Sequence, residues 1–236
     1  MSFHRRAAAF ADRVLPFAAT IAMLAALWCV FVYVPNERMQ GVVQRIFYFH
    51  VNCWWAAYLG FFVAAGASAF YLWHGRTEHD RLARAGVEVG MLFCTMGLVT
   101  GPIWARPIWG TWWTWDPRLT MAVILWTIFA VYLVLRSAGR DEPEITRYAA
   151  VVAVFGILDI PLIMISVRLW RGIHPSVISA PAGKGGLEDP RMVVALLVTM
   201  AAFAFLFFWL LWLRYEGLRL RDELHRLEDR MGELAR

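Results

Sequence analysis

The chain has 236 residues, of which 60% are hydrophobic and 17% charged, and a mean hydropathy of +0.53. That is too apolar for a water-soluble domain of this size and fits a compact polytopic membrane protein. The net charge of +5 follows from arginines placed around membrane segments, which excludes a nucleic-acid partner as its explanation.

Six apolar runs lie at 14–34, 46–73, 85–103, 119–135, 148–167 and 192–213, against the roughly twenty residues a spanning helix needs. They are continuous and do not alternate, so the expected fold is all-α, a polytopic membrane protein of six transmembrane helices, and not a barrel. The first run follows Arg5, Arg6 and Arg13 as a signal peptide would. It is too long for one, no small-x-small cleavage site closes it, and it is expected to stay in the chain.

The second run carries His50 about one turn inside the bilayer, where an imidazole has lost much of its water and needs a partner or a metal. Glu88 lies in the third run and Asp159, ahead of Pro161, in the fifth. An acid at membrane depth costs about 2.5–3.5 kcal/mol on insertion scales unless it is protonated or paired. A structural role is expected for both. The rival is a secondary transporter or permease whose path uses Glu88 and Asp159, which would show a midplane cavity and paired broken helices.

Between the third and fourth runs, the stretch 104–118 holds Trp104, Trp109, Trp112, Trp113 and Trp115, five of the thirteen tryptophans. The other eight suffice for an interfacial aromatic belt, so this cluster reads as a platform on which a flat, greasy ligand stacks. The outer loop after the fifth run brings His174 and the flexible segment 180–186. Beyond the sixth run, Leu218, Leu220, Leu224, Leu227, Met231 and Leu234 recur near helical spacing among charges. The chain thus divides into one membrane domain, 1–213, and an amphipathic tail, 214–236.

Fifteen of the 23 basic residues fall on the two tails and on the second and fourth loops, and eight fall on the opposite side. Both termini are therefore expected in the cytoplasm, with the loops around 35–45, 104–118 and 168–191 outside. Of the six histidines, His4, His74, His79 and His225 map inside, and only His50 and His174 map outside with the tryptophans. For either histidine alone, a hydrogen-bonded interfacial residue is an equally good reading. Together they supply two nitrogen ligands beside π surfaces and cations, the components of a bis-histidine heme site. Bis-ligation asks the two coordinating nitrogens to come within about 4 Å, twice a metal–imidazole bond. Zinc fits less well, because Glu37, Asp116, Glu188 and Asp189 show no tight ligand spacing.

Cys29, Cys53 and Cys94 lie inside the runs without a C-x-x-C or C-x-x-C-H pattern, which excludes a thioredoxin-like relay and a covalent c-type heme within the chain. No P-loop, zinc-protease, serine-hydrolase or dinucleotide motif is present.

The segment Trp-Gly-Thr-Trp-Trp-Thr-Trp-Asp at 109–116, followed by Pro117 and Arg118, resembles the tryptophan-rich WWD signature of the heme-handling proteins of cytochrome c biogenesis. Six spans, a histidine early in the second and another after the fifth make the chain similar to the cytochrome c maturation protein C, or heme exporter protein C, family over about 14–213. The resemblance implies non-covalent heme b with His50 and His174 as axial ligands at the outer face of the bacterial inner membrane. It further implies a platform of Trp109, Trp112, Trp113 and Trp115, a loop fixed by Asp116, and Arg118 on a propionate or the acceptor, with Arg45, Arg106 and Arg168 as weaker choices. The implied partners are a membrane-anchored periplasmic heme chaperone, the ATPase and permease subunits of an ABC transporter and a small single-span protein. The expected role is delivery of heme more than catalysis, although help with covalent attachment to the chaperone stays open. A non-heme scaffold subunit of an ABC transporter is the remaining alternative.

Overall fold

The computed structural model describes residues 3–139, 142–170, 174 and 187–234, with side chains left out for 3–10, 167 and 168. The segment 180–186 and the side chain of Arg168 therefore lie outside the described residues. Seven α-helices follow in order: α1 (Phe3–Trp28), α2 (Ile46–His74), α3 (Thr77–Trp109), α4 (Pro117–Ala138), α5 (Pro143–Gly156), α6 (Asp159–Trp170) and α7 (Pro190–Leu234). A π-helical turn, Cys29–Tyr33, extends α1, and a 3₁₀ turn, Val42–Arg45, leads into α2. Six segments are long and apolar enough to cross a membrane, α5 and α6 together making the fifth.

Local chemistry sets the ends of these helices. Gly75 and Gly110 stop α2 and α3 with φ of 67° and 74°, left-handed values that an L side chain resists. α4 opens on Asp116, whose carboxylate accepts the Leu119 N–H at 2.9 Å, with Pro117 in the first turn, where its missing N–H costs nothing. The fifth span breaks at Ile157 and Leu158. Pro161 has no N–H to give the Ile157 carbonyl one turn back, so the helix restarts at Asp159. Asp159 lies buried in this break, and its Oδ2 has no hydrogen-bond partner.

One element differs from the sequence reading: the third apolar run ends at 103, yet α3 runs on through Pro102 and Pro107 to Trp109. The irregular connection is thereby confined to 110–116, and Trp104 and Trp109 are helical. Prolines are tolerated inside spanning helices where neighbouring groups satisfy the freed carbonyls. At the C-terminal end the last span and the stretch 214–234 form one helix, α7, of 45 residues. Its stretch beyond residue 213 docks on α3 through Arg214 with Glu88, Arg81 with Asp222 at 2.9 Å, and the buried Leu218.

α2 and α3 form the most extensive helix pair. They approach backbone to backbone: a Cβ added to Gly60 would lie 2.7 Å from the Gly90 Cα, and one added to Gly86 would lie 2.9 Å from the Gly60 oxygen. Farther along, Gly97 receives the Trp54 ring, with 2.8 Å left for a Cβ. Without a hydrophobic drive between helices in lipid, such small-residue seams supply association through close packing. Phe61 stacks on Phe129 at 3.8 Å between centroids, which joins α4 to this pair.

α1 and α7 run antiparallel, with Trp212 Nε1 donating to Asp12 Oδ1 at 2.7 Å at one end. At the other end Val30, Val34, Phe47, Tyr48, Met192 and Ala195 form a second core. The bundle therefore has two unlike ends. One carries ion pairs: Glu88 Oε1 with Arg84 and Arg214, each at 3.0 Å, and Arg136 with Asp80 at 2.7 Å. Glu88 is held as a clamp between α3 and α7. The other end carries His50, His174 and the tryptophans of 104–115.

Replacing Gly90 by Val should lower the thermal unfolding midpoint of the detergent-purified protein, with an overpacking cost of about 1–3 kcal/mol. Glu88→Gln should also lower that midpoint, by leaving two guanidinium groups without their shared carboxylate, and should leave ligand content at the opposite end unchanged. Thermal melts followed by circular dichroism check both.

Candidate functional site

His50 is the fifth residue of α2 and is only 7% exposed. Its ring is bracketed edge-on by Trp104 of α3 at 5.7 Å and by Trp54, one turn along α2, at 6.4 Å between centroids. Its Nδ1 lies 3.0 Å from Thr100 Oγ1 of α3, and a Cβ on Gly101 would come within 3.3 Å of its Cε1. The imidazole is seated by α3 as much as by the helix that carries it. Trp104 is fixed in turn by its Nε1, which donates to Gln40 Oε1 at 3.0 Å.

His174 arrives from the segment after α6 and meets Trp109, the last residue of α3, at 6.1 Å and a steep interplanar angle of 67°. Beyond the left-handed Gly110 the chain turns back, with Thr111 Oγ1 donating to the Trp113 carbonyl at 3.1 Å. Trp113 and Trp115 pack edge to face at 5.7 Å.

These elements enclose a cleft of about 140 Å³ lined by Gln40, His50, Gly101, Pro102, Trp104, Ala105, Ile108, Trp109, Trp112, Trp113, Leu119 and His174. Both histidines and three of the four platform tryptophans thus share one cavity. Trp115 does not line it and is 74% exposed, and Trp112, at its rim, is 58% exposed. Asp116 acts on the loop and not on the cleft, as the N-cap of α4.

The arginines divide clearly. Arg45 is committed to the Phe31 carbonyl at 2.8 Å and to Asn36 Oδ1 at 3.2 Å, tying the end of α1 to α2. Arg106 donates to the Gly110 carbonyl and closes the end of α3. Arg118 makes no hydrogen bond or ion pair among the described residues, and its charge bears on both His50 and Tyr58. Among the described residues no carboxylate lines the cleft.

The acids at this end are occupied elsewhere. Glu37 accepts the backbone N–H groups of Met39 and Gln40, and Glu188 faces Arg38 at 3.8 Å. Asp189 pairs with Arg191 at 2.8 Å, and those hydrogen bonds hold its carboxyl below the usual carboxylate range. Among the described residues no group of three His, Cys, Asp or Glu could hold a metal ion. The arrangement can offer two imidazoles, flat aromatic walls and one uncommitted guanidinium to an extended, partly anionic ligand.

Sequence reasoning placed the tryptophan stretch but not the roles of Trp104, Gln40, Thr100, Gly101, Ile108 or Leu119. Trp104 and Trp109 become cleft walls because α3 continues to carry them. The Gly97-x-x-x-Gly101 spacing was the available signal for close approach at the histidine. Gln40 sits in an irregular loop and carried none.

The chain matches the family model described as heme exporter protein C over residues 2–230. It is 33% identical over 202 residues to heme exporter protein C of Bradyrhizobium diazoefficiens, covering 84% of this chain and 76% of that protein. With heme exporter protein C of Haemophilus influenzae it shares 31% identity over 195 residues, 82% of this chain and 78% of the relative. A putative cytochrome c biosynthesis ccmC-like mitochondrial protein of Marchantia polymorpha is 31% identical over 191 residues, 80% of this chain and 78% of its own length. The chain therefore belongs to the heme exporter protein C family of cytochrome c biogenesis.

Proposed function

We propose that the protein binds heme b non-covalently in the cleft, with His50 and His174 as axial iron ligands, and presents it to a heme chaperone. The observation that carries this is the meeting of two sequence-distant histidines and three tryptophans in one cavity that contains no carboxylate. Two imidazoles and π walls suit an iron porphyrin better than they suit a bare ion. Arg118, uncommitted and near His50, is the group for a propionate.

The cleft is smaller than the roughly 300–1,000 Å³ of an enclosing ligand pocket. Heme is accordingly gripped by its centre and one edge, and the remainder stays at the rim beside the exposed Trp112. Partial enclosure suits a cargo that must be handed on. Trp112 and Trp115 form the exposed aromatic surface next to the site, and a chaperone docks there. A periplasmic location for this end, with both termini in the cytoplasm, is supported by the arginine distribution. ABC transporter subunits and a small single-span protein complete the assembly that the family membership suggests.

The double variant His50→Ala/His174→Ala should lose the bis-histidine absorption bands and the bound heme of the purified protein. Unchanged spectra would sink the ligand assignment. Trp115→Ala, at a residue that does not line the cleft, should keep its heme and bind the chaperone about 10-fold more weakly, the scale of an exposed aromatic anchor, in a pull-down with purified chaperone.

A further inference from the structure

Thr100 lies one turn before Trp104 on α3, and its hydroxyl is 3.0 Å from His50 Nδ1. A hydroxyl has one proton, and here the Met96 carbonyl lies 2.8 Å from Oγ1, with the Gly97 carbonyl a second acceptor at 3.3 Å. Once that proton is given to a carbonyl, the oxygen can only accept from the imidazole. Thr100 thus demands a hydrogen on Nδ1. The bare Cα of Gly101 leaves room for the Cε1 edge of the ring to sit against α3. Among the described residues Nε2 makes no hydrogen bond.

We infer that Thr100 is a positioning residue that fixes His50 as the Nδ1–H tautomer, leaving the Nε2 lone pair for the iron. This rests on the heme reading above for its consequence, but the tautomer itself is a property of the heme-free protein. An N–H held by an oxygen acceptor orients the ring and strengthens its other nitrogen as a donor, and loss of such an outer partner typically lowers metal affinity about 10–100-fold. Thr100 is not a ligand and touches no iron. Its contribution passes through His50.

The test uses the full chain, labelled with ¹⁵N-histidine and purified heme-free in detergent. His50 should show the ¹⁵N shifts of an Nδ1–H imidazole, assigned by the loss of its signals in His50→Ala. Thr100→Val, nearly isosteric, should shift the population toward Nε2–H, and Thr100→Ser should restore it. Titrated with heme, Thr100→Val should bind about 10-fold more weakly and with a raised midpoint potential, and Thr100→Ser should match the wild type. A purely structural role for Thr100 would move neither the tautomer nor the potential. An Nε2–H His50 in the wild type, or a tautomer unmoved in Thr100→Val, overturns the inference. If the tautomer responds to Thr100 while His50→Ala keeps its bis-histidine bands, the positioning claim stands and the ligand reading falls.

Discussion

The contact of α2 and α3 along Gly60, Gly86, Gly90 and Gly97 is the constraint from which the site follows. In lipid, apolar side chains gain little by leaving one greasy surface for another, so two helices stay together through shape and short-range contact. Where glycines face each other no side chain fits, and the backbones meet. That proximity carries on to Gly101 and brings Thr100 into hydrogen-bonding range of His50. A histidine on an isolated helix would rotate among rotamers. Here it is boxed by Trp54, Trp104 and the α3 backbone before any ligand arrives.

Polar groups are sorted along the bundle in a way that keeps the cleft end receptive. Carboxylates at the far end are consumed by arginines, as Glu88 and Asp80 are. Near the cleft, Glu37, Glu188 and Asp189 are turned to backbone N–H groups or to arginines of their own. The consequence, among the described residues, is a cavity whose polar character comes from two imidazoles and an amide, without a carboxylate in its lining and with Arg118 unpaired nearby.

Much of this was readable from the residues. Six apolar runs gave six spans, since bilayer thickness imposes length and continuous hydrophobicity imposes helix. His50, His174 and the tryptophans were legible as a group because the arginine pattern put them on one side. Residues whose role depends on helix contact were less so. Apolarity falls off after residue 103, although within the bundle α3 continues intact through Trp109. Arg84, one turn before Glu88, was a visible partner for that acid, but Arg214, from the end of the last span, required the fold. Gln40 and Leu119 acquire meaning only once a loop and a helix start close over the histidine.

The length of α7 has a mechanical corollary. At 1.5 Å per residue its 45 residues make a rod of about 68 Å, well beyond the roughly 40–45 Å of a bilayer with its headgroups. Its first turns pack Met192 and Ala195 against Phe47 and Tyr48, neighbours of His50, while its last turns leave Leu224, Leu227 and Met231 exposed. Glu88 holds the shaft between these ends. One continuous helix thereby joins the protruding end to the wall behind the imidazole.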